Sequence, residues 1–150
     1  MVNWLFATLH LLALGIGMGA IWYRSQALSR ASDPPELRRV FLADALWGGA
    51  ALLWLITGLA RAFGGLEKGT DYYLASPAFH LKMGLFVVIL LLELWPMVSL
   101  IRWRIDSRRG REPDLSHAMT FARISKVQTV LLVLMVFAAT AMARGIGSGA

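Results

Sequence analysis

Four ionisable side chains interrupt the long apolar runs of this sequence, and their types suit cofactor or proton chemistry. They are His10, Asp44, Lys82 and Glu93. Such a side chain within a membrane span costs several kcal/mol, so each is a functional-site hypothesis by default. A histidine nitrogen can ligate a metal, while lysine and carboxylates can pair with charged ligand groups or hold a proton. We expect His10 to bind a cofactor and Lys82, Glu93 and Asp44 to act as catalytic groups.

Each of these residues also has a purely structural alternative. His10 could be an interhelical hydrogen-bond partner, and Lys82 could extend to the membrane interface. Asp44 lies near the start of its apolar run and could cap a helix or pair with Arg24. Glu93 could pair with Arg24 or Arg102. The sequence alone leaves both interpretations open.

Helical spacing places several residues on the His10 face of the first apolar run. His10, Gly17 and Met18 follow a helical stripe, in which Gly17 leaves room for a flat ligand. Met18 is a candidate second ligand, although packing is the commoner role of such a methionine. Gly15 and Gly19 form a small-xxx-small pair that would let another helix backbone approach closely. We therefore assign His10, Gly17 and Met18 to a cofactor-binding face.

Lys82 and Glu93 lie eleven residues apart in the third run, which places them within about 20° on one helix face. About 16 Å of helix separates them, so they cannot pair directly and instead mark a polar seam. Arg61 closes the second run, and His80 begins the third. We expect Arg61 and Lys82 to meet the carboxylates of a bound ligand, and His10 and His80 to be the candidate metal ligands.

Membrane helices are the elements that must position these groups. The 150 residues are 57% hydrophobic and only 16% charged, with a mean hydropathy of +0.60, whereas a soluble domain is about a quarter charged. Four apolar runs, each about long enough to cross a bilayer, are predicted over residues 4–23, 40–61, 78–101 and 124–143. The expected fold is all-α, an antiparallel four-helix transmembrane bundle in one domain over residues 1–150.

The connections between the spans predict the orientation of the chain. Eleven Lys and Arg residues lie in or beside the first and third connections, against four in the second connection and the C-terminal tail. Because basic loops stay in the cytoplasm, both termini and the glycine-rich second connection should face outward. Asp33 can cap the second helix, and Asp71, Tyr72 and Tyr73 could cover the outer end of the site.

Several function classes are excluded. The chain has no cysteine, so disulfide scaffolds and thiolate metal sites are ruled out. Its net charge of +6 fits contact with anionic lipid better than nucleic-acid binding. The phosphate-binding, serine-hydrolase and zinc-protease motifs are absent.

Short segments spread over most of the chain carry a resemblance to a known family. They are Leu9-His10, Ala43-Asp44-Ala45-Leu46-Trp47-Gly48, Thr57-Gly58-Leu59-Ala60-Arg61, Glu67-Lys68-Gly69 with Tyr72-Tyr73, and Phe79-His80-Leu81-Lys82-Met83. Through them the sequence resembles a bacterial family of uncharacterised four-span integral membrane proteins. The resemblance implies a multi-pass protein of the bacterial inner membrane.

A more distant resemblance implies an activity. Leu9-His10, the Tyr23-Arg24 exit of the first helix and the early Lys82 of the third are similar to HemJ-type membrane protoporphyrinogen IX oxidases. The CopD-like copper-resistance membrane domains share a similar architecture. In the oxidases the helix-1 histidine and helix-3 lysine belong to the site, which implies haem b at His10 and a role for Lys82. The chain departs from them where Arg24 follows Tyr23 without a proline, and where His80 stands in a slot that is usually aromatic.

The sequence therefore predicts a haem- or porphyrin-binding membrane protein with a redox role, embedded in the lipid bilayer, with a porphyrin or a quinone as ligand. The type of enzyme implied is a membrane oxidoreductase similar to protoporphyrinogen oxidase. The alternative is a membrane accessory or assembly subunit without a cofactor. Association into a homo-oligomer is left open, and a transporter ranks last because the inverted repeats of transporters are not evident.

Overall fold

The computed structural model describes residues 2–63 and 77–144 and confirms a helical fold for them. The helices are α1 (Val2–Ser29), α2 (Pro34–Phe63), α3 (Pro77–Arg108) and α4 (Ala118–Ala143). Each is long and apolar enough to cross a membrane. The glycine-rich second connection, with Asp71, Tyr72 and Tyr73, lies outside the described residues.

The helices begin and end where local sequence signals require it. The Asp33 carboxylate accepts a hydrogen bond from the Glu36 N–H at 3.0 Å, the capping role expected of Asp33. Pro34 then occupies the first position of α2, where a missing N–H is tolerated. Beyond α3, Gly110 adopts a φ of +68°, a left-handed conformation that glycine accepts without strain and that stops a helix.

All four helices extend past the spans that hydropathy predicts, and α2 and α4 begin six residues early, at Pro34 and Ala118. α1 continues to Ser29, so Arg24 lies inside this helix and not in a polar connection. α3 continues to Arg108, which makes the connection to α4 much shorter than the basic stretch in the sequence suggests. Hydropathy marks where the chain becomes polar, whereas backbone hydrogen bonding continues until a stop signal is reached.

The connection before α4 contains a local polar turn. The Asp114 carboxylate accepts a hydrogen bond from the Ser116 backbone N–H at 3.0 Å. This bond favours the charged carboxylate and holds the pKa of Asp114 below its usual value.

The four helices form a bundle with one open side. α1 packs against α2 and α4, and α3 packs against α4, whereas α2 and α3 make few direct contacts. Many large apolar side chains in the middle of the helices are exposed, among them Leu52, Ile56, Leu91 and Phe137. A bundle of this composition is covered by lipid chains and not by water.

The buried core is divided into two apolar clusters. One surrounds Leu28, Val40 and Phe121 near the α1–α2 connection. The other surrounds Ile21 and Trp47 closer to the middle of the helices, with further members on α3 and α4. Between these clusters each helix contributes a polar side chain, and Arg24, Asp44, Glu93 and Gln128 form the site described next.

Candidate functional site

Arg24 is the centre of a buried polar layer that joins all four helices. Its side chain is 0% exposed. The guanidinium forms a two-pronged contact with the Glu93 carboxylate on α3, at 2.6 and 2.7 Å. It also donates to the Asp44 carboxylate on α2 at 3.0 Å. The structural alternative for Asp44 and Glu93, pairing with Arg24, is therefore present in the structure.

The remaining N–H groups of Arg24 point to α4. Nε donates to the Ser125 hydroxyl and Nη2 to the Gln128 side-chain oxygen, each at 3.2 Å. Gln128 in turn donates to Glu93 Oε2 at 2.8 Å. A guanidinium has five N–H donors, and these contacts engage all five. Charged groups that are removed from water need this degree of pairing.

A second arginine, on α3, belongs to the same polar layer. Arg104 donates to the Phe41 backbone carbonyl at 3.0 Å and lies 3.4 Å from Asp44 Oδ2. Two arginines and two carboxylates thus meet in one layer, so their formal charges cancel. The Asp44 and Glu93 side chains keep 18% and 14% exposure, and this exposed part faces a cavity.

The cavity lies beside the polar layer, on the side of the bundle where α2 and α3 are not in close contact. Its volume is about 420 Å³. The lining is apolar and aromatic apart from Asp44 and Glu93, and it includes Trp47, Trp54 and Phe86. Gly17 also lines it, but a Cβ at Gly17 would lie 3.5 Å from the Trp47 ring. Room for a flat ligand at Gly17 stays a prediction.

His10 lies away from the polar layer, in an interhelical contact with α2. Its Nδ1 is 2.9 Å from the Thr57 hydroxyl oxygen and 3.1 Å from the Trp54 carbonyl oxygen. Since the Thr57 hydroxyl donates to the Leu53 carbonyl at 2.8 Å, Nδ1–H is the donor to both oxygens. That tautomer leaves Nε2 unprotonated, as in histidines that ligate metals.

Trp54 separates His10 from the cavity. The two rings are stacked, with centroids 4.9 Å apart and planes at 18°. Trp54 lines the cavity, whereas His10 does not. The tautomer of His10 suits a metal, but the cavity does not fit a haem that His10 would hold. The haem assignment to His10 stays a prediction from the sequence.

Four other predicted site residues lie outside the polar layer. Lys82 places its Nζ 5.6 Å from the centroid of the Trp54 ring, so His10 and Lys82 contact the same indole. Arg61 follows Thr57 by one turn of α2 and is half-buried. Met18 packs against the core cluster around Ile21 and Trp47. His80 is exposed and contacts the Phe79 ring edge-on.

Metal binding has no further support in the described part of the chain. Across residues 2–63 and 77–144, no group of three or more His, Cys, Asp or Glu side chains is placed to hold a metal ion. The assignment of a metal to His10 and His80 therefore remains untested.

Sequence reasoning did not assign a site role to Arg24, Gln128 or Trp54. The sequence signal for Arg24 is its seven-residue spacing from His10 and Gly17, which places the three on one helix face. The sequence names Arg24 as a possible partner of Asp44 and Glu93 but assigns it to a connection, so a layer that joins all four helices is not predicted. An uncharged glutamine in an apolar span, such as Gln128, is a weaker sequence signal of a site than a charged residue.

Comparison with known proteins identifies a family. A family model described as "Predicted membrane protein (DUF2214)" matches residues 2–147. No curated protein and no solved structure matches the chain. The match covers nearly the whole sequence and agrees with the four apolar helices. The chain belongs to the DUF2214 family of predicted membrane proteins.

Proposed function

We propose that the protein binds a ring-bearing, lipid-soluble molecule of the quinone or porphyrin class in the cavity between α2 and α3. The cavity carries this proposal: its volume of about 420 Å³ is typical of small-molecule sites, which are mostly apolar with a few polar groups. Trp47, Trp54 and Phe86 offer aromatic surfaces on which a ring packs. A redox role is part of the proposal because both ligand classes are redox-active.

The open side of the bundle gives such a molecule a route from the bilayer. The lining residues Leu52, Leu90 and Ile101 are exposed on the lipid-facing surface. α2 and α3 make few direct contacts at this side. An apolar tail can therefore remain among lipid chains while the ring occupies the cavity.

The charges at the polar end favour a quinone over a porphyrin. Porphyrins of the haem type carry carboxylate side chains, which would meet the carboxylates of Asp44 and Glu93. Neither Arg24 nor Arg104 lines the cavity, and the N–H groups of Arg24 are already engaged, so no arginine of the layer faces the ligand. Haem b, which the resemblance to protoporphyrinogen oxidases implies, is the competing ligand in the experiment below.

Ligand binding can be measured through the tryptophans of the cavity. A benzoquinone with a decyl tail should quench the fluorescence of Trp47 and Trp54 saturably in the detergent-solubilised protein. Gly48 lines the cavity, and no described heavy atom lies within 4 Å of a Cβ placed there. Gly48→Leu should fill the cavity and weaken quinone binding by tenfold or more.

Gly49→Leu is the matched control. Gly49 has the same open surroundings but does not line the cavity, so this variant should bind like the unaltered protein. Equal binding by both variants would place the ligand elsewhere. A stoichiometric Soret band in the purified protein, lost in His10→Ala, would replace the quinone proposal with haem.

A non-catalytic accessory subunit is the second candidate function. It is favoured by the contacts of the ionisable groups, because Asp44 and Glu93 tie α2 and α3 to Arg24, and His10 ties α1 to α2. Such contacts stabilise a bundle without any ligand. Absence of both saturable quinone binding and a Soret band would support this function.

A placement in the bacterial inner membrane with both termini outside also belongs to the proposal. It rests on the family resemblance and on the basic connections.

A further inference from the structure

We infer that the cavity selects the reduced, hydroxyl-bearing form of its ligand, a quinol, over the oxidised quinone. This inference rests on the proposed function and concerns the polar end of the same cavity. The selecting groups are the carboxylates of Asp44 and Glu93, which are the charged side chains among the lining residues.

The polar layer presents acceptor atoms to the cavity. The five N–H groups of Arg24 are engaged by neighbouring side chains, and neither Arg24 nor Arg104, the second arginine of the layer, lines the cavity. Carboxylate oxygens accept hydrogen bonds and cannot donate them when ionised. A ligand group that reaches this end must therefore supply a hydrogen.

A quinol and a quinone differ in this property and little else. The quinol carries two ring hydroxyl groups that donate, whereas the quinone carries two carbonyl oxygens that only accept. A hydroxyl bound to a carboxylate forms a charge-assisted hydrogen bond, which is about twice as strong as a neutral one. A quinone carbonyl beside the same carboxylates would meet only lone pairs.

The tryptophan indoles of the cavity can instead favour the quinone. Trp54 Nε1–H is buried without a partner in the described residues, and Trp54 lies ten residues from Asp44 on α2, or about 15 Å along the helix. A quinone carbonyl could accept from an indole N–H at that end. Such a bond is neutral and therefore weaker than the one formed by the quinol. We expect the quinol to bind at least about tenfold more tightly.

Calorimetric titration with decyl-benzoquinol, under anaerobic conditions, and with decyl-benzoquinone tests the inference on the unaltered protein. Tighter quinol binding by tenfold raises the midpoint potential of the bound two-electron couple by about 30 mV, which a redox titration measures independently. Equal affinities, or tighter binding of the quinone, would overturn the selection. Absence of binding by either form would instead overturn the proposed function.

Asp44→Asn locates the selection at the polar end. The asparagine side chain offers an N–H donor as well as an oxygen, so the preference for quinol should fall to threefold or less. Asp106→Asn is the matched control, since Asp106 also pairs with an arginine, Arg111, but lies outside the cavity. A preference unchanged by Asp44→Asn and abolished by Trp54→Phe would assign the selection to the indole end and contradict the inference.

Discussion

At the scale of single residues, Arg24 is the central polar contact between the four helices. It is fully buried and contacts side chains on all three other helices. Removing one member of a buried ion pair leaves an uncompensated charge, which costs about 3–5 kcal/mol. Arg24→Met should therefore lower the unfolding temperature strongly, as followed by circular dichroism in detergent.

Arg123→Met is the control for this substitution, because Arg123 is exposed on α4. The structure also predicts partial recovery when Glu93→Gln is added to Arg24→Met, since Asp44 still pairs with Arg104 and the layer then carries no net charge. If the double variant were less stable than Arg24→Met alone, the charge cluster would not be the cause.

The sequence identifies the ionisable residues of the spans but not the contacts that each one makes. His10, Asp44, Lys82 and Glu93 stand out because charge in an apolar run is costly. Pairing of Asp44 and Glu93 with Arg24 was one of the open alternatives. The choice between pairing and catalysis depends on where neighbouring helices bring side chains, which spacing along one helix cannot reveal. The stack of His10 on Trp54 is a contact between two helices, which spacing along α1 does not predict.

At the scale of helices, close approach in α1 occurs at Gly17 and not at the predicted pair. A Cβ at Gly17 would lie 3.4 Å from the Ala50 Cβ and 3.5 Å from the Trp47 ring. No described heavy atom lies within 4 Å of a Cβ at Gly15 or Gly19. Within residues 2–63 and 77–144 the small-xxx-small pair therefore does not contact another helix, contrary to the close approach expected of it.

Two substitutions distinguish the face of α1 that contains Gly17 from the face that contains Gly15. Gly17→Leu should push α2 away and destabilise the bundle by about 1–3 kcal/mol, the usual cost of overpacking. Gly15→Leu should leave the unfolding temperature nearly unchanged, because its side chain enters open space. Equal effects in thermal unfolding would mean that helix propensity, and not contact with α2, determines the result.

Helix number and type were predictable because each apolar run is long and bounded by charged or turn-forming residues. The ends of the helices were less predictable. α3 continues to Arg108 through a basic segment that hydropathy assigns to a connection. The stop signal there is Gly110, whose conformation is seen only in the structure.

At the scale of the whole molecule, most exposed cationic side chains of the described residues lie at one end of the bundle, whereas Arg144 is exposed at the other. Arg30, Arg38, Arg108 and Arg109 are exposed at the first of these ends, beside the α1–α2 and α3–α4 connections. The proposed orientation places this end in the cytoplasm. The opposite end holds the start of α1 and the His10–Trp54 stack.

Cysteine labelling tests this orientation without a background, because the chain has no cysteine of its own. In intact bacterial cells whose outer membrane has been permeabilised, a membrane-impermeant maleimide should label Val2→Cys and not Ser107→Cys. After lysis both should react. The reverse pattern would place the basic end outside and contradict the orientation.

The polar layer also constrains the order in which the chain can enter a membrane. Arg24 precedes its partners Asp44, Glu93 and Gln128 by 20, 69 and 104 residues. At about 5–20 residues per second, ribosomes supply Asp44 within about 1–4 s of Arg24, but Gln128 only after about 5–21 s. The hairpin of α1 and α2 is therefore the first unit in which the buried cation is neutralised. We expect this hairpin to insert as a pair, with α3 and α4 later joining a partly assembled site.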